Sequence, residues 1–463
     1  MRMHKRILAI LMAASMLLLA ACGAGQPQAT PDSVQPSQGE APAATGNSAK
    51  TLRIYAWNEE FQSRFKDYFE AAGKLPADIK VEWVITPNDN NAYQNKLDAD
   101  LKNQDSSSDK IDIFLIEADY AAKYVDTDYS LDVIADVGLT EADLKDQYKY
   151  TQEIVTNSAG KLKGVTWQAT PGLFAYRRSI AKDVLGTDNP AEVQKAIDNW
   201  DKFNETAVKM HAKGYKMLSG FDDSYRTFSN NISAPWVDKN DVIRIDENMM
   251  RWVDQTKQYT DKGYNNKTRL WAPEWGADQG PDGKVFGFFY STWGINFTLL
   301  GNSLAVPVAE GGKKEVGNGI FGDYAVTQGP ESYYWGGTWI CAAKGGDNIE
   351  LVRDVMRTLT CDAATMKKIT LDTEDYTNNQ KAMTEIANSD YASAFLGGQN
   401  HIALFAAAAP NIDMSNISKY DQAMNEELQS AFRDYFDGVV TKEEALDNFY
   451  NAVIEKHPNL KRP

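Results

Sequence analysis

Carboxylates and tryptophans occur together in this chain where strand-like runs give way to loops. Trp57-Asn58-Glu59-Glu60 follows the β-rich run TLRIYAW, and Glu117-Ala118-Asp119 follows the apolar run from Ile111 to Ile116. A carboxylate accepts hydrogen bonds more strongly than a neutral group, and an indole ring presents a flat apolar face. A ligand with hydroxyls on its rim and C–H bonds on its faces, as a sugar ring has, calls for both. Eleven of the 463 residues are tryptophan, and many stand beside Gly or Pro: Trp236 after Pro235, Trp271 and Trp275 around Pro273, Trp293 before Gly294, Trp335 and Trp339 flanking Gly336-Gly337. Loop aromatics are harder to explain as core than Trp83, on an alternating strand, or Trp200 and Trp252, on helical stretches.

Other chemistries find little support. Only His4, His211, His401 and His457 and three cysteines occur, in no spacing of a zinc site, and no Ser-His or Cys-His constellation stands out. No cofactor and no metal is expected. Gly317-Asn318-Gly319-Ile320-Phe321-Gly322 matches a dinucleotide fingerprint by letter but runs into strand-like Tyr324-Ala325-Val326, so it reads as a turn. Asp238-Lys239-Asn240-Asp241 lacks the Gly and distant Glu of a calcium loop. Cys341 and Cys361 read as two thiols rather than a disulfide. Lys plus Arg number 48 against 64 Asp plus Glu, and the formal charge of −16 disfavours nucleic acid as a partner.

Positioning such groups requires a folded body, and 463 residues with 43% hydrophobic and 24% charged side chains suit two domains. Residues 1–21 stand apart: Arg2, Lys5 and Arg6 precede the apolar run from Ile7 to Ala21, the shape of a secretory signal peptide. Fifteen apolar residues reach only about 22 Å, short of a bilayer core. Leu19-Ala20-Ala21-Cys22 resembles the bacterial lipobox, which implies cleavage before Cys22 and anchoring through its acyl chains. Loss of those three cations takes the charge from −16 to −19. Beyond Cys22 the stretch to residue 50 holds no aromatic and one Val as its only large aliphatic, so 22–50 is expected to be a flexible tether.

From Thr51 the pattern predicts strand, helix, strand, helix, strand. Phe61, Phe65, Tyr68, Phe69 and Ala72 recur at helical spacing; Ile79, Val81, Trp83 and Ile85 alternate; Tyr93, Leu97 and Leu101 mark a second helix. Such a βαβαβ start implies a parallel sheet, whose ligands sit at the carboxyl ends of strands. Helices are also predicted over 190–212, 247–262 and 443–455, with a helix-rich last hundred residues.

In their order along the chain, LRIYAWNEEF, DIFLIEADY (Asp112–Tyr120), GVTWQATPGLFAYRRSIAKDVLG (Gly164–Gly186), VFGFFYSTWGINF (Val285–Phe297), YYWGGTWICAAKGGDN (Tyr333–Asn348) and KEEALDNFYNAV (Lys442–Val453) resemble an extracytoplasmic solute-binding protein of bacterial ABC importers. The resemblance is to the large sugar-binding family that includes maltose-binding protein, and it runs from about Thr51 to the C-terminus. Arg177 stands where that family usually has Asn, and Trp167 where it usually has Pro. The fold so implied is α/β and periplasmic-binding-protein-like, with two lobes, a ligand cleft, hinge crossings and a helix-rich C-terminus. Its lobes are expected over 51–165 plus about 303–345, and over 166–302 plus about 346–463. Matching motifs place Trp57, Glu59, Asp119 and Trp293 against a sugar. Glu117, Gln168, Trp236, Trp335 and Gly336 complete the candidate set, against the blander reading in which Trp57 covers the sheet end and Asp119 caps a helix.

The resemblance implies a monomeric, non-enzymatic binder, lipid-anchored on the extracytoplasmic face of the cell membrane, that passes an oligosaccharide to ABC permease subunits. Several loop tryptophans would serve as successive platforms. A secreted glycosidase would also combine tryptophans with paired carboxylates in a cleft, and a binder of another solute, or an adhesin, is a third reading.

Overall fold

The computed structural model describes residues 50–463, which fall within one compact unit. The signal peptide, Cys22 and all but the last residue of the tether lie outside the described residues. Among the described residues no helix is long and apolar enough to cross a membrane.

Two sheets organise the body. The first has the order β2-β1-β3-β8-β4, from β1 (Thr51–Ala56), β2 (Lys80–Ile85), β3 (Ile113–Glu117), β4 (Val165–Thr166) and β8 (Thr338–Ala342). As the βαβαβ pattern predicts, β1 runs parallel to both neighbours, with Ile54 opposite Trp83 on one side and Ile113 on the other. Strand β8 then enters antiparallel between β3 and β4, setting Thr338 opposite Glu117. The second sheet has the order β6-β5-β7, with β5 (Gly172–Arg177) flanked antiparallel by β6 (Gly287–Ser291) and β7 (Tyr324–Thr327).

Side-chain periodicity explains the helical cover. Phe61, Phe65 and Phe69 bury one face of the helix Glu60–Phe65 and its π-helical continuation Lys66–Glu70, and Trp83 meets Phe61 and Phe65 edge-on. Ala72 falls beyond that helix and is exposed. Trp200 and Trp252 are buried, as their helical positions predict. The stretch expected to be one helix over 190–212 is two, Pro190–Ile197 and Trp200–Ala212, because Asn199 takes an extended backbone and caps the second by accepting from Lys202 N. The last helix, Lys442–Lys456, opens with a capping box between Thr441 and Glu444.

The expected lobe boundaries need correction. Residues 303–345 do not all join the first sheet: β7 pairs with β5, so the chain crosses over between Thr327 and Thr338. The helix Ile349–Thr360, expected in the second lobe, packs on β8, β4 and the segment Lys66–Glu70 of the first. Its buried stripe of Val352, Val355, Met356 and Leu359 supplies apolar cover for that sheet. A further change of side follows, since the helix His401–Ala408 packs on β5.

Both departures from the family pattern are absorbed locally. Trp167 is buried and stacks on Phe61 at 5.3 Å, and Arg177 donates from Nε to Asp323 Oδ2 at 2.8 Å. Residues 317–322 form turns ahead of β7, Asp238 closes its own turn by accepting from Asn240 N and Val242 N, and Cys341 and Cys361 are free.

Candidate functional site

A cavity of about 780 Å³ opens where the two sheets face each other. The carboxyl ends of β1 and β3 supply Trp57, Glu59 and Glu60, and Glu117; the chain beyond β4 supplies Gln168; the end of β6 supplies Thr292 and Trp293. The crossing into β8 adds Trp335, Gly336 and Gly337. Ligand sites at strand carboxyl ends are what a parallel start predicts.

One wall is aromatic. Trp271 lies nearly parallel to Trp293 at 6.1 Å, Trp335 meets Trp293 edge-on at 5.3 Å, and Tyr290 backs Trp335 in a stack at 6.0 Å. Trp293 is oriented by its indole N–H, which donates to Trp335 O at 2.9 Å. The two glycines make this possible: at φ +74° and +113° they take conformations that side chains resist, and a Cβ on Gly336 would stand 2.9 Å from Trp293 Nε1. Trp271 itself sits at φ +68°, a strained value for a bulky residue, with its side chain 56% exposed. Opposite, Trp57 is braced edge-on by Tyr93 and Tyr120.

The other wall is acidic. Gln168 Nε2 donates to Glu60 Oε1 at 2.9 Å and to Asp375 Oδ2 at 3.1 Å, while its own Oε1 accepts from Thr338 N at 3.2 Å. Thr292 Oγ1 donates to Asp375 Oδ1. This chain of bonds joins the helix after β1, the crossing from β4 to β5, the start of β8, the segment holding Asp375 and the end of β6. Burial and then the neighbouring Asp375 push the Glu60 carboxyl up to about 7, against the opposing pull of Arg64 and the Gln168 bond. Burial, then Asp119, raises Glu117 to about 8, with Arg226 pulling the other way. Glu117 also caps the turn after β3 by accepting from Asp119 N at 2.7 Å.

Of the sequence candidates, Trp57, Glu59, Glu117, Gln168, Trp293, Trp335 and Gly336 line the cavity. Asp119 does not: its two oxygens accept from Arg226 Nη1 and Nη2, each at 2.5 Å, which ties the end of β3 to the helix Tyr225–Ser229. Nor does Trp236, which is buried against Phe449 of the last helix, where its apolar area covers core. Trp275 is buried as well and donates from Nε1 to Asp223 Oδ1 at 2.9 Å. Sequence reasoning passed over Glu60 and Arg64, Asp375 and the 78% exposed Phe297. Glu60 was visible as the acid next to Glu59, and Trp271 as a loop aromatic; Asp375 carries no local signal, since it meets Thr292 across 83 positions.

Comparison with solved structures places the fold. The chain is similar to the ABC transporter-associated binding protein of B. animalis subsp. lactis Bl-04 in complex with β-1,6-galactobiose (16% identity, TM-score 0.66, covering 89% of this chain and 99% of that one). It is similar also to the galacto-N-biose/lacto-N-biose I-binding protein of Bifidobacterium longum in complex with lacto-N-biose (15%, 0.65, 88% and 96%). A third is the extracellular solute-binding protein of Staphylococcus aureus in complex with maltose (16%, 0.58, 88% and 97%). At these identities the likeness is one of fold. No curated protein sequence matches the chain. Residues 64–394 match the family described as bacterial extracellular solute-binding protein, and the chain belongs to that family.

Proposed function

We propose that this protein binds an oligosaccharide between its two lobes and delivers it to the permease of an ABC importer, held at the extracytoplasmic membrane face by a lipid on Cys22. The observation that carries the reading is the pairing of a tryptophan wall, Trp271, Trp293 and Trp335, with Glu59, Glu60, Glu117 and Asp375 around one cavity. Sugar C–H faces pack on indoles, and sugar hydroxyls donate to carboxylates. The solved structures of similar fold with sugars bound support the same class of ligand. Trp57, Glu59, Glu117, Gln168, Trp293, Trp335 and Gly336 are the proposed contacts, with Trp271 added. Lobe closure over the ligand is the working motion, since the cavity draws on both sheets, and no chemical step is assigned.

A thermal-shift panel of α- and β-glucans, xylans, mannans, galactans and fructans on the chain lacking residues 1–22, followed by calorimetry, tests this. A specific ligand stabilises by mass action. Stabilisation by one linkage series, with the sugar recovered intact after hours, is the expected result. Release of shorter sugars makes the protein a glycosidase, and silence across the panel rejects the carbohydrate reading.

A further inference from the structure

The charges around the cavity do not balance. Glu59, Glu60, Glu117 and Asp375 line it against one cation, Arg64, whose Nη2 lies 3.7 Å from Glu60. Arg226, whose charge reaches Glu117, is occupied by Asp119 through two hydrogen bonds. Among the described residues no three acidic, His or Cys side chains converge as they would around a metal ion, so the carboxylates are spread over the wall rather than aimed at one point. Trp57 stands on their side of the cavity and Trp271, Trp293 and Trp335 on the other, and indole ring faces attract cations as well as C–H groups.

A neutral sugar leaves this excess of negative charge uncompensated. Resting on the carbohydrate reading above, we infer that the ligand of the cavity is an amino sugar oligosaccharide carrying free, protonated amines, which sit between the carboxylates and the indole faces. An ammonium donates three hydrogen bonds where a hydroxyl donates one, and each bond to a carboxylate is charge-assisted on both sides. N-acetylation removes that charge while keeping the ring and its linkage, so it separates charge from shape. Burial first, and then the neighbouring carboxylates Asp375 and Asp119, raise Glu60 and Glu117, so an ammonium seated beside them would favour their charged forms.

Calorimetry on the chain lacking residues 1–22 tests this with matched trisaccharides: β-1,4-glucosamine, its N-acetylated form and the glucose counterpart, and the α-1,4-galactosamine set built the same way. In one linkage series the free amine should bind about tenfold tighter than both neutral forms, the equivalent of one net charge-assisted contact. That preference should shrink by about threefold between about 20 mM and about 300 mM salt, as a partly exposed charge pair requires. In Glu117→Gln, and separately in the exposed Glu59→Gln, the ratio of amine to neutral affinity should fall. Equal or tighter binding of a neutral form in every series that binds overturns the inference and leaves the carbohydrate reading intact. Binding of no sugar, charged or neutral, in this set and in the wider panel overturns both.

Discussion

Replacing Arg226 with methionine removes the cation that holds the end of β3 against the helix Tyr225–Ser229. Its guanidinium donates to both oxygens of Asp119 at 2.5 Å, which sets the charge centres about 4 Å apart and, at an effective dielectric near 20, gives about 4 kcal/mol of attraction. The Arg226 side chain is 19% exposed and that of Asp119 35%, so solvent screening cuts the coupling to about 2 kcal/mol. Removing one partner costs more than the coupling, because the Asp119 carboxylate is left beside Glu117 without its counter-charge. The expected loss for Arg226→Met is about 2–4 kcal/mol, and adding Asp119→Asn should restore about 2 kcal/mol. Urea unfolding of the wild type, both single variants and the double variant closes the cycle, provided the slopes agree. A coupling below about 0.5 kcal/mol would refute the reasoning, since the pair would then be no stronger than an exposed one.

Other expectations follow from the same geometry. Trp271→Ala removes a 56% exposed ring, so unfolding free energy should change by under about 0.5 kcal/mol while sugar affinity, read by calorimetry, falls about 2–10-fold. Trp271→Gly should in addition recover about 1 kcal/mol of backbone strain at φ +68°, visible as a higher urea midpoint than that of the alanine variant. Gly336→Ala should destabilise by about 1–2 kcal/mol through its left-handed backbone alone, and should shift tryptophan fluorescence as the new methyl displaces Trp293; an unchanged spectrum contradicts the packing. Glu60 sets a pH dependence. Its folded pKa of about 7 lies above the ordinary carboxylate value, so the folded state holds the extra proton and stability falls as pH rises between about 4.5 and 7. Glu60→Gln should therefore equal the wild type near pH 4 and exceed it near pH 8, by on the order of 1–3 kcal/mol for a side chain 30% exposed. Thermal unfolding across that range measures it, and identical pH profiles would count against the placement of Glu60 beside Asp375 across Gln168.

Legibility in the sequence followed the range of the forces involved. The parallel order of β1, β2 and β3 came from periodicity, because strand and helix patterns record which side of each element meets apolar neighbours. Trp57, Glu59 and Glu117 were accessible because a site at strand ends is set by local connectivity. Trp236 and Trp275 show the limit of reading aromatics beside proline as platforms, since both are buried packing residues. Asp119 shows another: a carboxylate at the right strand end was claimed by an arginine 107 positions away. The lobe boundary near residue 303 misplaced β7, since four residues paired to β5 carry no mark of which sheet receives them.

By itself the sequence determined the elements, their periodic apolar faces, the glycines that permit the crossing into β8, and a supply of tryptophans and acids at loop positions. Only the tertiary structure decided which of those side chains share a cavity and which neutralise one another. Gln168 meets both Glu60 and Asp375, 108 positions before it and 207 after, and Trp271 comes to lie over Trp293. Those partnerships depend on how two sheets with repeated chain crossings pack, a global property that no window of neighbouring residues encodes.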